Sequence, residues 1–185
     1  GVAHSGLRCG AEPPAHRPTA EALIRDECAA TPMHNDCSGK HAFMLAATMH
    51  RGWDPDYRPV AHPLQVQVID AVQAQTMEQP GIAVDGCGVP TFHLTIAGMA
   101  RAWSRLASAM ALQPDDGLGR IGWAMAQHPH LVSGTDRIDA AIACAARQPF
   151  VGKIGALGVF CVALPERNMG IALKIESGDE AALAC

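Results

Sequence analysis

The stretch His34-Asn35-Asp36-Cys37-Ser38-Gly39-Lys40-His41 runs straight into the apolar Ala42-Phe43-Met44-Leu45-Ala46-Ala47. A polar turn feeding an apolar run marks a helix start, and Asn35 or Asp36 offers the short side-chain oxygen that caps one. Cys37 and Lys40 then share one face of the first turn. A helix N-terminus stabilises a thiolate or an anion, so this is a candidate chemical site as well as a structural one. Its expected counterpart lies roughly fifty residues on, at Asp85-Gly86-Cys87-Gly88-Val89-Pro90. The two segments are expected to meet in space.

At 185 residues the chain is expected to form a single domain, residues 1–185. A chain of that length can bury roughly 70% of its unfolded surface. Aromatics make up only 4% of it, so Ala, Gly and Met must fill closely packed helices. A net charge of −4 gives no electrostatic reason for a nucleic-acid or anionic-membrane partner. No apolar run approaches the roughly 20 residues of a membrane span. Seven cysteines at irregular spacing do not form a disulfide framework, and reduced thiols point to a cytoplasmic location. A start at Gly1 without Met and an end at Cys185 read as an excerpt of a longer protein.

Gly1–Pro18 is expected to be irregular. Thr19–Ala30 reads as a helix with Thr19 as cap, and a second helix runs from about Cys37 to the Arg51-Gly52 stop. Pro63 suits the first turn of a helix with Leu64, Val68, Ala71 and Val72 on its apolar face. Ile82-Ala83-Val84 reads as a short buried strand delivering Asp85-Gly86-Cys87-Gly88. Helices follow over 94–110, 117–127 and 136–147, the second with Ile121, Ala124 and Met125 inward. Val159–Leu164 and Ile171–Ile175 read as strands joined by the turn Pro165-Glu166-Arg167-Asn168, with Val151–Ala156 just ahead. The class is mixed α/β (α+β), with the best sheet at the C-terminal end.

Cys37, Lys40 and Cys87 are the sharpest candidate group. Two thiolates with a nitrogen or oxygen donor make a zinc half-site, although no C-x-x-C is present and a Lys ligand must first lose its proton. The rival reading is buried, inert cysteines. His34 and His41 are alternative donors, or merely solvated and capping. Ser38-Gly39-Lys40 fails as a phosphate loop, because His34 and His41 stand where that loop needs Gly and Ser or Thr. Lys153, between Gly152 and Ile154-Gly155, sits where a substrate can approach a strand, as in the K-T-G strand of penicillin-recognising hydrolases; the alternative is a surface lysine in a turn. Asp85 either grips a substrate ammonium or satisfies its own turn. Ser5, next to His4, is a nucleophile candidate in principle, and Asp139 reads as a first-turn helix acid.

Together these segments resemble the L-asparaginase II family, the serine-lysine type unrelated to the threonine asparaginases. The resemblance is carried by His34–Ala42 with Met44-Leu45, by His62-Pro63-Leu64-Gln65 and by Val84–Phe92. Ala124-Met125 with His128-Pro129, Leu131–Gly134, Lys153–Val159 and Gly170–Glu176 with Gly178-Asp179 complete it in order. It implies a fold like the serine β-lactamases and glutaminases, an antiparallel sheet packed with helices, with the N-terminal part absent. It implies hydrolysis of L-asparagine to L-aspartate and ammonia through an acyl-enzyme. Residue by residue, Cys37, Lys40 and Cys87 match the family's zinc positions, Asp85 a substrate-contacting acid, and Lys153 a lysine of the catalytic Ser-Lys pairs. The family's Ser-His-Ser-Gly segment stands here as Ala3-His4-Ser5-Gly6, which makes Ser5 a catalytic and His4 a substrate-binding candidate.

No Ser-x-x-Lys occurs in the chain, Gly6 runs directly into Leu7-Arg8-Cys9-Gly10 where the family has a helical stretch, and Leu157 replaces a usual acid. The expectation is therefore an asparaginase II-type amidohydrolase lacking its attacking group, binding one zinc and a small-molecule substrate, L-asparagine, and pairing as a homodimer. The alternatives are a zinc-binding structural or ligand-binding module without turnover, and a glutaminase or β-lactamase-like serine hydrolase.

Overall fold

A computed structural model describes residues 4–179 and 182–183. Ala3, the first position of the expected Ser-His-Ser-Gly counterpart, lies outside the described residues, as does the side chain of His4. The chain divides into two compact units, one of Gly1–Val72 with Pro80–His93, the other of Gln73–Gln79 with Leu94–Cys185.

In the first unit a 3-10 turn, His4–Gly6, is followed by helix α1, Arg17–Arg25. The helix starts two residues before the expected Thr19 because Pro18 suits its first turn. It also stops early, with Glu27 in the left-handed region at φ 52°. A second 3-10 turn, Pro32–His34, leads to α2, Ser38–Arg51, which closes on Gly52 at φ 65°. The glycine permits that left-handed stop, as the Arg51-Gly52 pair predicts. Helix α3, Pro63–Thr76, begins at its proline, and β1, Gly81–Val84, pairs antiparallel with β2, Pro90–His93. β1 forms where expected, but all four of its residues are exposed rather than buried. A run of three apolar residues specifies an extended backbone without specifying what covers it. The core of this unit joins Leu7, Cys9, Leu45, Tyr57, Leu64, Cys87 and Val89.

The second unit is built on a three-stranded antiparallel sheet in the order β3 (Val151–Gly155), β4 (Val159–Leu164), β5 (Met169–Lys174). The unbroken apolar run of β4 is that of a central strand covered on both faces, and its four inner residues are buried. Burial pushes the Cys161 thiol up to about 11. Helix α4, Ile96–Leu112, is capped by Thr95, whose hydroxyl accepts the Gly98 N–H. Leu106, Ala107 and Met110 of α4 meet Val151 and Ala163, while Ile154, Phe160 and Val162 form a separate cluster. Helices α5 (Gly117–Gln127), α6 (Pro129–Ser133) and α7 (Ile138–Ala145) complete the unit. The class is mixed α/β, with antiparallel sheets and helices.

Two features depart from the apolar periodicity. Ile121 and Ala124 of α5 face solvent, and Gly119 and Gly122 turn inward instead. A Cβ on Gly119 would lie 2.2 Å from the Gln113 carbonyl oxygen, so only glycine allows so close an approach. The β3–β4 turn places Leu157, 69% exposed, at φ 59°. Left-handed backbone costs a leucine about 1–2 kcal/mol, a strain that Asp or Asn relieves by hydrogen bonding locally.

Gly170 is the tightest contact of this unit: a Cβ there would sit 2.0 Å from the Ser104 N and 2.3 Å from the Ala100 O, both backbone atoms of α4. Backbone cannot yield as a side-chain tip does. Gly170→Ala is expected to destabilise the protein by at least about 2–3 kcal/mol, read as a lowered midpoint in urea; an unchanged midpoint would show that β5 lies further from α4.

Candidate metal and substrate site

The two segments singled out in the sequence do meet, within the first unit. The Cys37 and Cys87 thiols and a carboxylate oxygen of Asp85 all lie within 4.8 Å of one another. Lys40 Nζ donates to Asp85 Oδ2 at 3.1 Å, and the Cys87 thiol donates to the same oxygen at 3.1 Å. Cys37 itself occupies the N-cap position of α2, not Asn35 or Asp36 as the turn composition suggests. The Asn35 side chain instead builds the turn: its Oδ1 accepts the Cys37 N–H at 2.8 Å, while its amide donates to the Cys9 carbonyl at 3.1 Å and to Glu12 Oε2 at 3.0 Å. Asn35 is buried, and Cys37 is thereby tied to the Cys9–Glu12 segment.

Opposite it, the β1–β2 connection holds Asp85 and Cys87 in a tight turn. Asp85 N donates to the Val89 carbonyl at 2.9 Å and Gly88 N to the Asp85 carbonyl at 2.8 Å. Gly88 takes φ 88°, which the absence of a Cβ permits. The Gly86 N–H adds a 2.9 Å bond to Asp85 Oδ1.

The electrostatics follow from this crowding. Burial pushes the Cys37 thiol up to about 12, the Lys40 ammonium pulling the other way and Cys87 adding to the rise. The hydrogen bond from Cys87 holds Asp85 below the usual carboxylate range, against its partial burial and with help from Lys40. Loss of water works against the Lys40 charge, but the Asp85 carboxylate and the two thiols outweigh it and leave the amine above its ordinary value.

Two thiols and a hard donor at this spacing fit a tetrahedral divalent ion, whose thiolate sulfurs at about 2.3 Å from zinc stand a little under 4 Å apart. Binding it would require the thiols to release protons. Asp85 stands beside the two thiols with an oxygen donor, and Lys40, the nitrogen donor expected from the sequence, lies 3.1 Å from that carboxylate.

His41 is no part of the cluster. It is fully buried and turns inward, where Nδ1 lies 2.8 Å from the Tyr57 hydroxyl. That hydroxyl also accepts the Arg8 N–H at 3.1 Å. Burial, with Lys40 adding to it, holds His41 below the usual imidazole range. His34 closes its own turn, its Nδ1 accepting the Thr31 N–H at 2.9 Å. The sequence reading overlooked Tyr57. Its signal was that the chain's one tyrosine stands in a loop of Asp and Pro, where an aromatic without an apolar neighbour must find a core elsewhere. Gln65, named only within the His62–Gln65 motif, is fully buried at the start of α3 and donates to the Tyr57 carbonyl at 2.7 Å.

Ser5 is exposed in the 3-10 turn, whose Gly6 would meet Leu45 Cδ2 of α2 at 2.6 Å if it carried a Cβ. Lys153 belongs to the second unit, half-buried on β3, and its amine donates to the Ile154 carbonyl.

With the paired thiols, the acid and the amine in one turn-and-helix cradle, the family comparison is decisive: the family model for L-asparaginase II matches residues 1–185, the whole chain. The chain belongs to the L-asparaginase II family. A search of curated proteins gives no match. Membership makes it an amidohydrolase of asparaginase type acting on a small-molecule substrate. Among the described residues no helix is long and apolar enough to cross a membrane.

The Tyr57 hydroxyl serves two partners of the asparaginase site scaffold at once. Tyr57→Phe would leave the Arg8 N–H and His41 Nδ1 without them, at a cost of about 1–3 kcal/mol. Urea unfolding measures it, and a loss under about 0.5 kcal/mol would mean that water replaces the hydroxyl.

Proposed function

We propose that this asparaginase II chain contributes to hydrolysis of L-asparagine to L-aspartate and ammonia by a Ser-Lys acyl-enzyme mechanism, within one partial domain of a zinc-containing, cytoplasmic and homodimeric enzyme. The observation that carries the reading is the convergence of Cys37, Lys40, Asp85 and Cys87 from two segments distant in sequence. A serine oxygen attacks the carboxamide carbon, and its proton passes to a neutral lysine amine. Ammonia leaves with a proton from that lysine, and water then cleaves the ester to L-aspartate. Lys153 is the proton-accepting lysine of this proposal and Ser5 a hydroxyl of the same chemistry. The principal attacking serine, of the Ser-x-x-Lys type, is supplied from outside these residues, since no such motif occurs among them.

Asp85 and His4 are assigned to the substrate, Asp85 as the carboxylate that receives its α-ammonium group. Cys37, Cys87 and Lys40 are assigned to zinc. Zinc bound there would tie the first turn of α2 to the β1–β2 turn, its charge offset by the two thiolates. Lys40 reaches the ion only by giving up the proton it now shares with Asp85, which would free that carboxylate for a ligand.

Asparagine hydrolysis is favoured over the glutaminase and β-lactamase alternatives by the family match. The absence of Ser-x-x-Lys favours a second reading, a metal-binding module without turnover.

Two measurements test these readings. The purified chain is expected to carry about one zinc per molecule, and Cys37→Ala or Cys87→Ala to lower its zinc affinity at least tenfold. Metal analysis reads this, and full zinc retention in both variants would remove the assignment. The 185-residue chain is also expected to bind L-aspartate in calorimetry without releasing ammonia from L-asparagine. Ammonia release would place the nucleophile inside this chain, while failure to bind L-aspartate would favour the module without turnover.

A further inference from the structure

Asp139, in the second unit, is only 2% exposed, yet it carries a carboxylate. A buried carboxylate persists only if its oxygens are satisfied, and this one is. Its Oδ2 accepts the Ser133 hydroxyl and the Ile154 N–H, the latter at 3.1 Å, and its Oδ1 accepts the Ala140 N–H at 3.0 Å. Three elements converge on one side chain: the end of α6, the first turn of α7 and the middle of β3.

β3 is an edge strand of its sheet. In an antiparallel pair the N–H and C=O of a given residue point to the same side, and those of alternate residues point away from the partner strand. Ile154, opposite Phe160, offers both groups to partners other than β4. Asp139 takes its N–H, and the Lys153 amine takes its C=O. The acid and the lysine therefore hold the same residue by its two backbone groups.

We infer that Asp139, supported by the Ser133 hydroxyl, is a positioning residue for Lys153: by holding the Ile154 N–H it sets the segment of β3 from which the Lys153 amine is presented to the substrate. The inference rests on the role proposed for Lys153 in asparagine hydrolysis. Loss of the anchor frees Ile154, and with it the carbonyl that restrains the amine. Edge strands without such a restraint slip or fray more readily than central ones.

The test is competitive acylation of the lysines in the folded chain at one fixed pH, read per peptide by mass spectrometry. Lys174, on β5 of the same sheet, is the internal reference. Asp139→Asn is expected to raise the Lys153 rate at least threefold while leaving Lys174 unchanged. Ser133→Ala, which keeps the carboxylate, is expected to shift the same ratio in the same direction by less, and it carries the test if Asp139→Asn does not fold. An unchanged Lys153-to-Lys174 ratio would overturn the inference, as would a parallel rise of both, which marks general loosening. Lys153→Met in the turnover assay of the complete enzyme examines the underlying reading separately. Undiminished turnover there would remove Lys153 from the chemistry, whatever the labelling ratio.

Discussion

One carboxylate oxygen organises the first unit. Asp85 Oδ2 accepts the Cys87 thiol from its own turn and the Lys40 ammonium from α2. This links the β1–β2 connection to the first turn of a helix that precedes it by more than forty residues. The ion pair is half-exposed, and exposed pairs contribute little to stability. Its importance lies in what it brings together: two thiols and an acid within 4.8 Å of one another, with an amine on the acid. The scaffolding is done elsewhere, by Asn35 behind Cys37, by the Val89 and Gly86 backbone around Asp85, and by Tyr57 beneath His41.

The same division between scaffold and candidate group recurs in the second unit. Lys153 stands on an edge strand whose register is stated by β4, but whose outward backbone groups need other partners. Asp139 supplies one of them from a helix start. Two candidate groups thus depend on a buried polar side chain that touches backbone: Cys37 on Asn35, and the strand of Lys153 on Asp139. Such contacts hold backbone in place because a buried N–H left without an acceptor is costly.

Much of the chain was legible because its signals are local. Gly52 ends α2, Pro63 opens α3, and Asn168 turns the β4–β5 connection in the left-handed region at φ 50°. Less legible were positions where apolar character and burial part company. Ile121 faces solvent while Gly119 and Gly122 face inward, because backbone proximity to α4 outranks side-chain hydropathy. The same holds for β1, which is apolar and exposed. Asp139 does sit in the first turn of α7, as its spacing suggests, but its burial and its bond to a strand were beyond local pattern.

Sequence alone therefore determined most of the elements, though not β2 or α6, together with the family and the residue types of the candidate site, since turn chemistry, periodicity and motif order act over a few residues. Tertiary structure decided which atoms meet. It set the Lys40 amine and the Cys87 thiol on one oxygen of Asp85, sent His41 into the core with Tyr57, and set Asp139 on the strand of Lys153. Those outcomes depend on distances between segments far apart in the chain, and packing of the whole core, rather than any neighbouring residue, fixes such distances.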